Sequence, residues 1–299
     1  MQPLRRISKI IAVIIAFVIP RTSIHAQDSL KTKIDEATFT ITGDVGVSLL
    51  VLETKEMLSY HGDHPFPMQS IYKFPLAMAV LQQVDAGKIS LTQKIHITKA
   101  DYFITRSPLM EKYPEANIDL TVDELIEYTI TQSDNVTCDL LFRLIGGPKK
   151  VDLFVQSLGI RNIAIINTEK EMHAVWKAQY NNWSTPPAMA QLFQIFYEKE
   201  ILSKQSKALL LNHLINTKLG FARIRASLPD GTILAHRPGT GGENEQGVTS
   251  AVNDAGIITL PNGKHLVIVV YILDTKSRID EAEEVIANIT KVVYEHYSK

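Results

Sequence analysis

The chain has 299 residues, of which 45% are apolar and 21% charged, and its formal net charge is −1. That composition excludes a disordered, collagenous or coiled-coil protein and leaves enough chain to bury a large core in one or two domains. No basic patch argues for nucleic acid, and a single cysteine, Cys138, cannot form an internal disulfide.

Arg5, Arg6 and Lys9 precede an apolar run from Ile10 to Ile19, closed by Pro20, and Ile24-His25-Ala26 ends in a small residue. The pattern predicts a signal peptide over 1–26, cleaved after Ala26. The apolar run is short for a bilayer, and a lipid anchor would need a cysteine at the cleavage point, where there is none. Cleavage would remove four basic and no acidic residues, taking the formal charge from −1 to −5. The expected product is a soluble, exported monomer, periplasmic or secreted, without stable membrane association.

Thr38 to Leu52 and Met57 to His61 carry β-branched and apolar residues broken by Gly43 and Gly46, which predicts two strands. Ser70 to Ala86 reads as a helix closing at Gly87, and Thr121-Val-Asp-Glu124 is a capping box that opens another. Asn162 to Thr185 has little periodicity and reads as a long loop. Helices follow over Ala188 to Glu200, entered through Pro186-Pro187, and Ser203 to Leu214. Thr232 to His236, Ala255 to Leu260 and His265 to Leu273 read as strands, the last two joined by an Asn262-Gly263 primed turn. Ile279 to Tyr297 is an amphipathic helix. Composition and pattern alone give an α+β protein.

Four short motifs carry the chemistry. Ser70 and Lys73 are three residues apart at a helix start, so their side chains share one face. A serine is a weak nucleophile until a neighbouring base takes its proton, and a desolvated lysine can serve. The helix N-terminus also aims backbone N–H groups where an oxyanion develops. A Ser-x-x-Lys match alone is common by chance. Ser133-Asp134-Asn135 interrupts two apolar stretches: Ser133 can pass a proton to a leaving nitrogen, Asp134 can bind backbone N–H groups, and Asn135 can bind a substrate amide. The bland reading of the triplet is a helix cap. Glu169, in the long loop, can activate a hydrolytic water, with Glu171 as its rival. Arg237-Pro238-Gly239-Thr240 continues a strand: the cation can anchor a carboxylate, Gly239 permits close backbone approach, and Thr240 offers an N–H and a hydroxyl. The histidines are scattered; His61-Gly-Asp-His64 lacks a third metal-ligand motif, and no metal or organic cofactor is expected.

In order and spacing these motifs resemble the class A serine β-lactamases. Ser107-Pro108, Glu111-Lys112, Ile145-Gly-Gly-Pro148 and Thr185-Pro186 before Met189 extend the resemblance over nearly the whole mature chain. Gln69, the Glu169…His173 spacing and Gln179-Tyr-Asn-Asn-Trp183 are similar to the extended-spectrum PER-type branch. The resemblance implies a five-stranded antiparallel sheet flanked by helices, with 27–66 and 217–299 forming the sheet domain, 67–216 an inserted all-α domain, and the active site between them. It implies Ser70 as the acylated nucleophile and Lys73 and Glu169 as bases, the latter for deacylation. It further implies Ser133 as proton shuttle, Asn135 as a substrate ligand, and the N–H groups of Ser70 and Thr240 as the oxyanion hole. The implied substrate is a small-molecule β-lactam.

The chain departs from the family at several points. Arg237 replaces the usual lysine, Pro238 removes a hydroxyl and a backbone donor, and Arg106 replaces an aromatic. Asn167 and Asn182 stand where an Arg–Asp pair commonly staples the Glu169 loop, and with His173 they imply a different, wider loop. The usual carboxylate-binding arginine on the next strand is absent; Arg223 or Arg225 could substitute, with Arg223 preferred. A penicillin-binding D,D-peptidase and a non-hydrolytic β-lactam sensor share the same motif layout.

Overall fold

The computed structural model describes residues 21–299, with side chains from Asp28 onward. Residues 1–20 of the expected signal peptide lie outside them. The first element is a helix, α1 (Arg21–Thr38), which the sequence reading missed. The strand expected from Thr38 begins only at Asp44, because α1 and a turn occupy the residues before it. The strands β1 (Asp44–Val51) and β2 (Met57–Tyr60) come next. A helical middle follows: α2 (Lys73–Asp85), α3 (Val122–Thr131), α4 (Asn135–Ile145), α5 (Glu169–Ala174) and α6 (Pro186–Glu198), then a helix over Lys204–Ile215. The chain returns to sheet with β3 (Leu234–Thr240), β4 (Thr249–Thr259) and β5 (His265–Thr275) and ends in α7 (Ile279–Tyr297).

The five strands form one antiparallel sheet in the order β2-β1-β5-β4-β3. Both faces are covered, so β5 reads as a nearly continuous apolar run. Its alternate residues part cleanly. Leu266, Ile268, Val270 and Ile272 pack with Leu30 and Ile34 of α1 and Ile286 and Ile289 of α7. Val267, Val269, Tyr271 and Leu273 pack with the helical middle, including Phe74, Phe142, Phe193 and Phe196.

Three strand details correct the sequence reading. β3 starts two residues later than expected and runs unbroken through Pro238 to Thr240. Proline is tolerated because β3 lies at the sheet edge and pairs only with β4. β4 begins at Thr249 rather than Ala255, because Ser250, Asn253 and Asp254 are buried polar residues that mask the strand pattern. The β4–β5 connection has a left-handed residue only at Gly263, with Gly263 N bonded to Leu260 O at 3.0 Å. It is a turn closed by one left-handed glycine, not the primed turn expected from Asn262-Gly263.

Candidate active site

Ser70 sits in a short 3₁₀ turn, Gln69–Tyr72, that runs directly into α2. Sheet side chains pin the segment before it: Asn253 Nδ2 on β4 donates to Pro67 O at 2.8 Å, and its Oδ1 accepts Ile272 N of β5 at 3.1 Å. Gln69 holds φ +50°, a left-handed value uncommon outside glycine. Its Nε2 donates to Gln179 Oε1 at 2.9 Å and Ser250 Oγ at 3.2 Å, tying the nucleophile turn to the Glu169 loop and to β4.

Ser133, between α3 and α4, also has positive φ, +58°. Asp134 caps α4 through Thr137 N at 2.9 Å and accepts from Ser107 Oγ at 2.7 Å and Leu109 N at 2.8 Å, fixing the loop as its position in the motif suggested. So held, Ser133 Oγ donates to Ser70 Oγ at 2.9 Å and accepts from Arg237 Nη2 at 2.6 Å and Lys73 Nζ at 3.4 Å. Lys73 is fully buried; its ammonium also bonds Ser133 O at 3.1 Å and Asn135 Oδ1, and lies 2.9 Å from Glu169 Oε1. Among the described residues, the hydrogen bond that reaches Ser70 Oγ therefore comes from Ser133, not directly from Lys73. Asn135 Nδ2 donates to Thr105 Oγ1 at 2.7 Å.

Glu169 is 4% exposed and is the first residue of α5, inside the segment read as loop. Thr168 caps this helix, with Glu171 N donating to Thr168 Oγ1 at 3.3 Å and Thr168 N donating to Glu171 Oε2 at 2.8 Å. Glu171 is thus an exposed capping residue, while Glu169 faces Lys73. Asp139 of α4 accepts Glu169 N at 2.7 Å and Lys170 N at 3.0 Å. Burial pushes its carboxyl up to about 6, against these two bonds. His173 bonds Glu169 O at 2.8 Å through Nδ1 and Thr105 Oγ1 at 3.1 Å through Nε2. Asn182 staples the loop base: its Oδ1 accepts Ile166 N at 2.7 Å and Asn167 N at 2.8 Å, and its Nδ2 donates to Asn167 O at 2.8 Å.

Arg237 is 0% exposed, and burial lowers its pKa to about 10, still well inside the cationic range at neutral pH. Its neighbours Pro238, Gly239 and Thr240 line the cleft, a cavity of about 580 Å³ that also contains Ser70, Ser133, Asn135, Glu169 and Arg223. A Cβ on Gly239 would stand 2.7 Å from Met68 O and 3.1 Å from Ser70 N. Only glycine lets β3 come this close to the nucleophile turn, so the backbones of Ser70 and Thr240 converge. Arg223 Nη2 donates to Thr240 Oγ1 at 2.6 Å, and Nη1 to Gly239 O at 3.0 Å and Asn253 O at 2.7 Å; Nε pairs with Glu283 at 3.1 Å. Arg225 instead donates to Thr232 O at 2.7 Å. Sequence reasoning missed Thr105, Asp139, Trp176 and Ser250, which have no local motif, and noted Gln179 only as part of a run without a role.

Residues 29–297 match the family model described as the beta-lactamase enzyme family. The chain is 36% identical over 295 residues to beta-lactamase VEB-1 of Pseudomonas aeruginosa, covering 97% of this chain and 98% of that one. It is 37% identical over 267 residues to the extended-spectrum beta-lactamase PER-1 of the same organism, covering 89% and 86%. The solved structure of the TLA-3 extended-spectrum beta-lactamase superposes with a TM-score of 0.89 at 46% identity, over 91% of this chain and all of the other.

Proposed function

The chain belongs to the class A serine β-lactamases, and from that membership we propose that it opens the β-lactam amide of penicillins and cephalosporins through an acyl-enzyme on Ser70. The observation that carries this reading is the chain from the cleft inward, Ser70 Oγ–Ser133 Oγ–Lys73 Nζ–Glu169 Oε1, with links of 2.9, 3.4 and 2.9 Å.

Ser70 Oγ attacks the β-lactam carbonyl as the Lys73–Glu169 pair takes its proton. The oxyanion forms against the N–H groups of Ser70 and Thr240. As the C–N bond breaks, Lys73 returns a proton through Ser133 Oγ to the ring nitrogen. Arg237, donating to the same oxygen, stabilises negative charge on Ser133 during the transfer. Glu169 then takes a proton from water, which attacks the acyl carbon; as the ester C–O bond breaks, that proton passes by way of Lys73 to the departing Ser70 Oγ, restoring the serine and the Glu169 carboxylate. The Arg223–Thr240 pair receives the substrate carboxylate and Asn135 the acyl amide. The cavity between the Glu169 loop and Gly241-Gly242 supports cephalosporins with bulky side chains as substrates. We read residues 1–26 as a cleaved export signal, so the enzyme acts outside the cytoplasm.

Time-resolved intact-mass spectrometry of the protein mixed with a penicillin tests the mechanism. An adduct on Ser70 that appears and clears, with hydrolysed product, is expected; Ser70→Ala forms none and Glu169→Ala accumulates it. A persistent adduct on the native protein would instead mark a D,D-peptidase or sensor.

A further inference from the structure

We infer that Glu283 is a specificity-determining residue of the cleft: its carboxylate shares Arg223 with the substrate carboxylate and favours cephalosporins that carry a cation on the ring carbon next to the one bearing that carboxylate. This rests on the function proposed above and on the role given there to Arg223.

Glu283 lies near the start of α7, yet it lines the same cavity as Ser70 and Thr240. The segment that carries Arg223 is fastened to that helix, with Ser227 Oγ donating to Ala287 O at 2.6 Å. Glu283 Oε1 accepts Arg223 Nε at 3.1 Å, and the glutamate side chain stays 21% exposed against 5% for the arginine. A guanidinium has five N–H groups. Nε serves Glu283, Nη1 has Gly239 O and Asn253 O as acceptors, and Nη2 gives one N–H to Thr240 Oγ1. A single Nη2 N–H is left over. Because Thr240 Oγ1 accepts from Arg223, its own proton is free to donate into the cleft. A substrate carboxylate therefore meets one N–H and one O–H, beside a cation that Glu283 already neutralises.

The charges decide what such a corner prefers. Arg223 and Glu283 sum to zero, so a bound carboxylate leaves one negative charge uncompensated. Three bonds from Nη1 and Nη2 hold the guanidinium without Glu283, so the glutamate acts by its charge rather than by orienting the arginine. The rest of the cavity does not supply the balance: Arg106 is committed to Gln132 O, Glu169 faces Lys73, and Glu243 adds a further negative charge. In a cephalosporin the ring carboxylate and the substituent on the neighbouring ring carbon lie side by side. A pyridinium or quaternary ammonium in that substituent brings the missing positive charge to the exposed part of Glu283. An acetoxymethyl group does not, and such a substrate binds against the repulsion between two carboxylates.

The experiment measures kcat/KM for two cephalosporins that share acyl group and carboxylate, one with a pyridinium-methyl and one with an acetoxymethyl substituent, in the native protein and in Glu283→Gln. Each preparation is assayed on both substrates, so the ratio does not depend on the folded fraction, and intrinsic reactivities cancel between native and variant. In Glu283→Gln the preference for the pyridinium compound should fall about three- to fivefold, chiefly through a lower KM for the acetoxymethyl compound. The difference between the two proteins should shrink in about 500 mM salt. Glu283→Lys, with the charge reversed, should lower the preference further. A preference unchanged by either substitution, with kcat/KM moving equally on both substrates, would overturn the inference while leaving the function intact. A native protein that turns over neither compound would overturn both.

Discussion

Replacing Asp139 by asparagine keeps the volume of the side chain that carries the first turn of α5 but removes its titration. The carboxyl is pushed from an ordinary 3.8 up to about 6, chiefly by burial, with the Glu169 charge adding to the rise and the bonds from Lys170 and Glu169 opposing it. A rise of about two units corresponds to about 3 kcal/mol. Between those two values the folded protein binds a proton that the unfolded chain does not, so its stability falls as pH rises. The contribution is fully present below 3.8 and lost once the pH has passed about 6. An amide at this position has no such dependence, so the Asp139→Asn variant should gain on the native protein by about 2 kcal/mol between pH 4 and 7, most of the full effect, at no more than about 1.4 kcal/mol per pH unit. Urea unfolding of both proteins at pH 4, 5, 6 and 7 measures the difference directly. A pH-independent difference, or one in which the variant loses ground, would refute the reasoning. It would mean that the two N–H bonds outweigh burial and hold the carboxylate ionised. The same variant presents only one acceptor oxygen to two N–H groups, so adduct clearance should slow even where the fold gains stability.

Gly239→Ala places a methyl 2.7 Å from Met68 O and 3.1 Å from Ser70 N, both backbone atoms. The strand must retreat, and kcat/KM should fall about a hundredfold, the scale of losing one oxyanion donor; a loss below about threefold would show that β3 is not pinned there. Arg223→Ala removes the donor on Thr240 Oγ1 and two on backbone carbonyls. KM for a penicillin should rise about tenfold, and the native and variant enzymes should converge on a substrate whose ring carboxylate is esterified. Trp176 lines the cleft with its ring 3.9 Å from the position of a Cβ on Gly242 and at 69° to the Tyr180 ring. Trp176→Ala should cost cephalosporins with flat aromatic acyl groups about three- to tenfold in kcat/KM and leave a penicillin without an acyl side chain unchanged; equal losses on both would assign the indole a purely structural role.

Ser70, Lys73, Ser133 and Glu169, which the structure brings together, were legible as candidates because each belongs to a short local pattern. Even the order of the two candidate glutamates was written locally: Thr168-Glu-Lys-Glu171 is a capping box, which turns Glu171 outward and leaves Glu169 at the first helical position. What the sequence hid is the shell around them. Asn253 reaches Pro67 across 186 residues, Ser250 and Gln69 meet across 181, and Asp139 reaches Glu169 across 30. Those contacts are set by strand order and helix packing, for which no local pattern exists. The same residues concealed part of the fold. Ser250, Asn253 and Asp254 point polar groups into a buried interior, so the first half of β4 lacks the apolar alternation by which a strand is recognised.

The Arg237-Pro238 departure becomes intelligible once those contacts are drawn. Proline costs the strand nothing at an unpaired edge, and the arginine beside it is sealed from the cleft with Nη2 committed to Ser133. Among the described residues its Nε and Nη1 are buried without a hydrogen-bond partner, which carries a cost. In the mechanism proposed above, the guanidinium acts on the proton-carrying serine. The same proposal gives carboxylate recognition to a second arginine, Arg223, whose Nη2 meets Thr240 Oγ1 on the cleft wall. On that proposal one charge supports proton transfer and another supports binding. Arg237→Lys should then change the pH profile of acylation more than KM, and Arg223→Ala should change KM more than the profile. The opposite pattern would return the carboxylate to Arg237.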